Sequence, residues 1–204
     1  MLESRRAIPS ICLFLVLTGG AVLGQSPRDD WKPGNARDAD RKLAYSLADA
    51  PLSAKERVEI YRLLDNPVVH DSFTDAQRAE EHETVMGARV GFIELAAGRG
   101  QQVLVQGPRL FCGASGNCRY LVFVRQRERL RLVLDAGGAF LVRNTSSHGF
   151  RDVATSWHMS AYEALFNVYR WDGAKYEKAD CYSVSRDRDN PDKPPGIAGC
   201  HGGT

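Results

Sequence analysis

The chain has 204 residues, with 27 Lys and Arg against 25 Asp and Glu and a formal net charge of +2. That near-neutral balance gives no electrostatic basis for binding nucleic acid or an anionic membrane surface. The length suits one domain with a sizeable core once an amino-terminal leader is set aside.

The first 24 residues read as an export signal. Arg5 and Arg6 form the positive end, residues 11–17 the apolar core, and small residues lead to Gly24. The apolar run is too short for a membrane span. Cys12 lies inside it, which argues against a lipid anchor, and the general secretory route fits better than a twin-arginine one. Cleavage after Gly24 removes Arg5, Arg6 and Glu3, leaving 25 basic and 24 acidic residues and a net charge of +1. The destination is periplasmic or extracellular, with no membrane anchor after cleavage.

Residues 25–40 are polar and carry Pro27, Pro33 and Gly34, so they read as a flexible lead. A short helix is expected over 40–48. Ser53 and Glu56 have the spacing of a capping box, and Val58, Tyr61, Leu63 and Leu64 recur at helical intervals, predicting an amphipathic helix over 54–65. Pro67 follows its end. Thr74 and Gln77 form a second capping box, opening a charged helix that closes near Gly87. Within it Glu80, Glu81, His82 and Glu83 read as a solvated face rather than a ligand cluster.

From Arg89 the period becomes strand-like. Strands are expected over 90–95 and 101–106, with a tight turn at 97–100 between them. The run 120–124 is the most apolar and β-prone of the exported part. Strand 118–125 is expected to pair with 130–135, where Leu130, Leu132 and Leu134 should face one way and Val133 the other. Gly137 and Gly138 turn the chain into 140–143. Three further strands are expected over 153–158, 165–171 and 175–184, the last two joined by a hairpin at Asp172 and Gly173. Residues 185–204 read as a flexible tail that only Cys200 could tie down. The expected fold is therefore α+β: helices over 41–86, then an antiparallel β meander of about eight short strands over 89–184, forming a single disulfide-bonded domain.

After cleavage four cysteines remain, an even number suited to an oxidising compartment. Of the three possible connectivities, Cys112–Cys118 and Cys181–Cys200 are favoured, because each closes a short loop containing glycine. The five-residue gap between Cys112 and Cys118 does not match the usual zinc spacings.

Three candidate chemistries present themselves. Ser115 lies among Gly113, Ala114 and Gly116, but the spacing misses that of a nucleophile elbow and a strand follows, so a hairpin turn is the simpler reading. His148, Asp152 and His158 form the strongest catalytic or metal constellation, suited to a metal-dependent or acid–base hydrolase. The bland reading is an Arg151–Asp152 interaction beside two ordinary histidines. Trp157, Tyr169 and Trp171 belong to an aromatic-rich second half, which serves either as core or as a recognition surface. No cofactor or metal is expected. Binding of a protein, or of a cell-wall or glycan ligand, is preferred to catalysis, and a purely structural envelope protein is a third reading.

Two resemblances accompany these readings. Residues 92–105, with 149–153 and 169–176, resemble a degenerate FG-GAP repeat, the blade unit of integrin-type propellers. Ala96, Ala97 and Arg99 stand where that family carries calcium ligands, so calcium binding does not carry over, and two such units cannot close a propeller. The segment from Cys112 to Phe123, with Tyr169 to Tyr176 and Cys181, resembles small secreted bacterial proteins of unknown function. That resemblance is to secreted proteins and brings no activity with it.

Overall fold

The structure is a computed structural model that describes residues 39, 42–65, 74–112, 114–127, 129–190 and 192–200; the signal and the flexible lead lie outside the described residues apart from the position of Ala39. Two α-helices and ten β-strands are described. The helices are α1 (Ala54–Leu64) and α2 (Asp75–Met86). The strands are β1 (Tyr45–Ser46), β2 (Arg89–Ile93), β3 (Gln102–Gln106), β4 (Arg119–Gln126), β5 (Arg129–Gly137), β6 (Ala139–Ser147), β7 (Phe150–His158), β8 (Glu163–Trp171), β9 (Tyr176–Ser185) and β10 (Gly196–Gly199).

The α+β expectation is corrected. The protein is mostly β, and its strands divide into two five-stranded antiparallel sheets, ordered β1-β2-β3-β4-β5 and β10-β9-β8-β7-β6. The reason lies at Gly137 and Gly138. They do not make a hairpin, because β5 and β6 are not paired. Gly138 has φ +104°, and its N–H still donates to the Cys118 carbonyl at 2.9 Å, prolonging the β4–β5 ladder while the chain bends. One residue later Ala139 pairs with Ser156 of the second sheet. The chain thus changes sheets through a glycine bend.

Both capping boxes are present. The Ser53 hydroxyl accepts from the Glu56 N–H while Glu56 accepts from the Ser53 N–H, and Thr74 and Gln77 repeat the pattern. The inward face of α1 runs through Glu56, Ile60 and Leu64. Val58, expected on that face, is exposed. The stripe is rotated because Glu56 is drawn inward, its Oε1 accepting from Arg125 Nε at 2.8 Å. On α2, His82 is exposed, with its ring 5.1 Å from that of Tyr61. The helix expected over 40–48 does not extend across 43–48, where β1 and a turn occur instead; the backbone of Tyr45 pairs with Val90 at the sheet edge.

Three apolar clusters organise the interior. Ile60, Leu64 and Val85 of the helices pack with Val103, Val105, Leu121 and Phe123 on one face of the first sheet. The opposite face, with Leu104, Tyr120 and Val122, packs against Phe140, Phe150, Val153 and Trp171 of the second sheet. Strands β3 and β4 are therefore buried on both faces, which is why 120–124 reads as an unbroken apolar run. Leu141, Ala154, Phe166, Val168, Tyr182 and Val184 form a third cluster on the other face of the second sheet.

The predicted β4–β5 pairing is present, but its alternation breaks. A bulge lies at Val122/Phe123, where Val122 pairs with Leu134 and Phe123 with Leu132. Val133 is the extra residue, so Leu130 and Leu132 face the helices while Leu134 joins the inter-sheet core. The hairpin at Asp172 and Gly173 forms as expected, with Asp172 Oδ1 accepting from the N–H groups of Ala174 and Lys175. Both favoured disulfides, Cys112–Cys118 and Cys181–Cys200, are present. The tail reading does not hold for 196–199, which form β10 against β9, secured by the second disulfide.

Candidate functional site

The candidate surface is built where β7 ends. Trp157 and His158 close that strand, residues 159–162 connect it to β8, and the backbone N–H groups of Met159 and Ser160 both donate to the Glu163 carbonyl. Three large apolar side chains stand out of this end: Met159 is 59% exposed, Tyr162 45% and Trp157 40%. The Trp157 ring lies directly over Gly137, where any Cβ would collide with it. Glycine at the sheet-changing bend thus makes room for the indole.

The first sheet supports this end through its disulfide loop. Asn117, 8% exposed, precedes Cys118. Its Oδ1 accepts from the His158 N–H at 2.9 Å, and its Nδ2 donates to the His158 carbonyl at 3.0 Å and to Ser115 Oγ at 2.8 Å. The side-chain amide thus behaves as an extra backbone unit, docking the loop onto the end of β7. The Cys112–Cys118 bridge closes the loop that carries it. The partner of Asn117 is 41 positions away, and no local signal reveals it.

The catalytic candidates occupy different places. His148 sits in the β6–β7 turn with φ +48°, its Nδ1 2.8 Å from the Trp171 carbonyl, so a proton on Nδ1 would be donated there. Asp152 is buried, and its Oδ2 accepts from Thr145 Oγ1 at 2.6 Å. Burial and the nearby Asp152 carboxylate both push the Tyr176 phenol far above its usual range, and its hydroxyl donates to the Arg151 carbonyl. His158 is exposed at the far end of β7. Six residues of strand separate it from Asp152, about 20 Å at the usual rise. The structure therefore does not bring Asp152 and His158 together. No group of three His, Cys, Asp or Glu side chains suited to a metal ion occurs among the described residues. Ser115 is exposed in the disulfide loop, where its hydroxyl accepts from Asn117.

The aromatic candidates also divide. Trp171 is only 4% exposed. Its ring stacks on Phe150 at 4.0 Å, with Tyr176 edge-on at 5.3 Å and the Arg131 guanidinium 5.9 Å above it. Tyr169 is half-buried against the same inter-sheet core. Only Trp157 of the three reaches the surface substantially. Sequence reading did not single out Met159; the available signal was an apolar residue in a short strand connection.

No protein-family model, curated protein or solved structure matches the chain. Its two disulfides agree with an oxidising, exported location. No helix among the described residues is long and apolar enough to cross a membrane.

Proposed function

We propose that this is an exported, non-enzymatic binding protein, acting in the periplasm or outside the cell after loss of residues 1–24. Trp157, Met159 and Tyr162 form the surface that takes a protein or cell-wall glycan ligand. The observation that carries this reading is the exposure of three large apolar side chains at one strand connection, braced by Asn117 and the Cys112–Cys118 loop. Aromatic and methionine side chains held on a rigid support are effective recognition anchors, because little conformational freedom is lost on binding. The resemblance to small secreted bacterial proteins supports export. A hydrolase built on His148, Asp152 and His158 would need those groups to converge, and the span of β7 between Asp152 and His158 weighs against it.

The test is sedimentation of the secreted protein with purified cell walls, alongside site-specific photo-crosslinking from position 159 to envelope proteins. Changing Trp157→Ala together with Tyr162→Ala should weaken whichever association is found by about thirtyfold or more, the loss of a binding hot spot, while the double variant keeps the parent's far-ultraviolet circular dichroism at the assay temperature. Absence of both associations, or equal binding by the double variant, would rule the surface out.

A further inference from the structure

A second surface lies at the other end of β4, some seven residues and about 20 Å of strand from the Asn117 loop. Lys55, Gln126, Arg127 and Arg129 line an open hollow of about 500 Å³ between the start of α1 and the β4–β5 hairpin. Among the described residues, which leave out Glu128, no carboxylate lines it, and none of its three cations has a side-chain hydrogen bond or ion pair. The nearby Glu56 is turned away and occupied by Arg125 and the Ser53 N–H.

Two of these cations are placed against local preference. Lys55 stands in the first turn of α1, where the helix dipole disfavours positive charge. Arg127 has φ +56° in the two-residue loop closed by the Gln126–Arg129 pair, a site where Gly, Asn or Asp would be the ordinary occupants. Residues that break local rules at the same concave spot point to a ligand rather than to the fold. A bound anion would offset the unfavourable Lys55 charge and give Arg127 and Arg129 a common acceptor.

We propose that this hollow binds the phosphate groups of an anionic ligand. The chain's near-neutral net charge does not oppose this, because screening confines such attraction to roughly a Debye length. Exposed cations of this kind bind in a salt-dependent manner, and a ligand bearing several phosphates gains from engaging all three.

The test uses the exported, disulfide-bonded chain and inorganic pyrophosphate, followed by backbone amide NMR at low and high salt. Saturable shifts at residues 55, 126, 127 and 129, weakened by salt, are expected. Arg127→Gly should weaken binding about tenfold or more. It should also raise the melting temperature, since glycine adopts positive φ freely. Lys55→Gln combined with Arg129→Gln gives a second variant that leaves the turn intact and should bind comparably poorly. Retention on phosphatidylglycerol vesicles, lost in these variants, would identify a lipid headgroup as the source of phosphate. Binding of soluble polyphosphate without vesicle retention would identify a free polymer. No saturable shifts in the parent, or parent-like binding by both variants, would overturn the proposal.

Discussion

The two sheets are built from similar antiparallel strands but solve different problems. The first is covered on both faces, by α1 and α2 on one side and by the second sheet on the other. Its central strands consequently carry apolar residues at successive positions, and Leu121, Val122 and Phe123 are all fully buried. The second shares only one face with the first sheet. Its strands mix apolar and polar positions, with four successive exposed residues in β9 from Glu177 to Asp180, and its β7–β8 connection carries the exposed apolar end. Cover on both faces thus goes with consecutive buried apolar positions in the first sheet, whereas the second keeps separate apolar clusters on its two faces and an exposed apolar connection between β7 and β8.

The largest expected effect tests that division of labour. Phe123→Ala empties a fully enclosed position between the first sheet and the helices and should cost about 3–5 kcal/mol. Phe166→Ala removes a ring that stacks on Tyr182 at 5.0 Å in the second sheet and should fall toward the lower end of that range or below it. Equal losses in denaturant titrations would show that the two sheets are enclosed alike.

An intermediate effect addresses the join between the sheets. Asn117→Ala strips both the donor and the acceptor from the His158 backbone and should cost about 2–3 kcal/mol if those groups are left unsatisfied. Hydrogen exchange should quicken at the His158 amide and through the 159–162 connection, while the amides of β3 stay protected. Uniform quickening throughout would mean that the sheets open as one unit.

The smallest effect concerns the helix side of the first sheet. Burial alone would raise the Glu56 carboxyl's pKa, but hydrogen bonds from Arg125 and the Ser53 N–H, with the Arg125 charge, outweigh it and hold the group below the usual carboxylate range. A carboxyl depressed in the folded state adds stability above its unfolded pKa of about 4.3, and this contribution fades as pH falls through the folded value. Glu56→Gln should therefore cost about 1 kcal/mol near neutrality and progressively less on acidification below about pH 4. A constant difference across that interval would show that packing, not charge, sets the contribution of Glu56.

Several features were legible because their causes are local. Each capping box is four residues long, so α1 and α2 could be placed from Ser53, Glu56, Thr74 and Gln77 alone. The β4–β5 ladder and the Asp172 turn join neighbours in sequence. The disulfide pairing followed from short loops and an even count of cysteines. Within the candidate sites, residue type alone singles out Trp157 as an anchor, but no local pattern marks Met159 or the cradle around Lys55.

What the sequence determined by itself was thus a set of short-range structures: two capped helices, a succession of antiparallel strands and two closed cysteine loops. Only the tertiary structure decided how those strands divide into two sheets, because a glycine pair serves a hairpin and a sheet-changing bend equally well until the partners of β5 and β6 are known. Only it decided that Leu134 crosses to the inter-sheet core, that Val58 stays outside, and that residues 196–199 become a strand. It also separated Trp171 from Trp157. Both are aromatic residues in strands, but Phe150 and Tyr176 enclose the first while Gly137 leaves space for the second at an open end. Burial is decided by what arrives on the other side of a residue, and those neighbours come from distant parts of the chain.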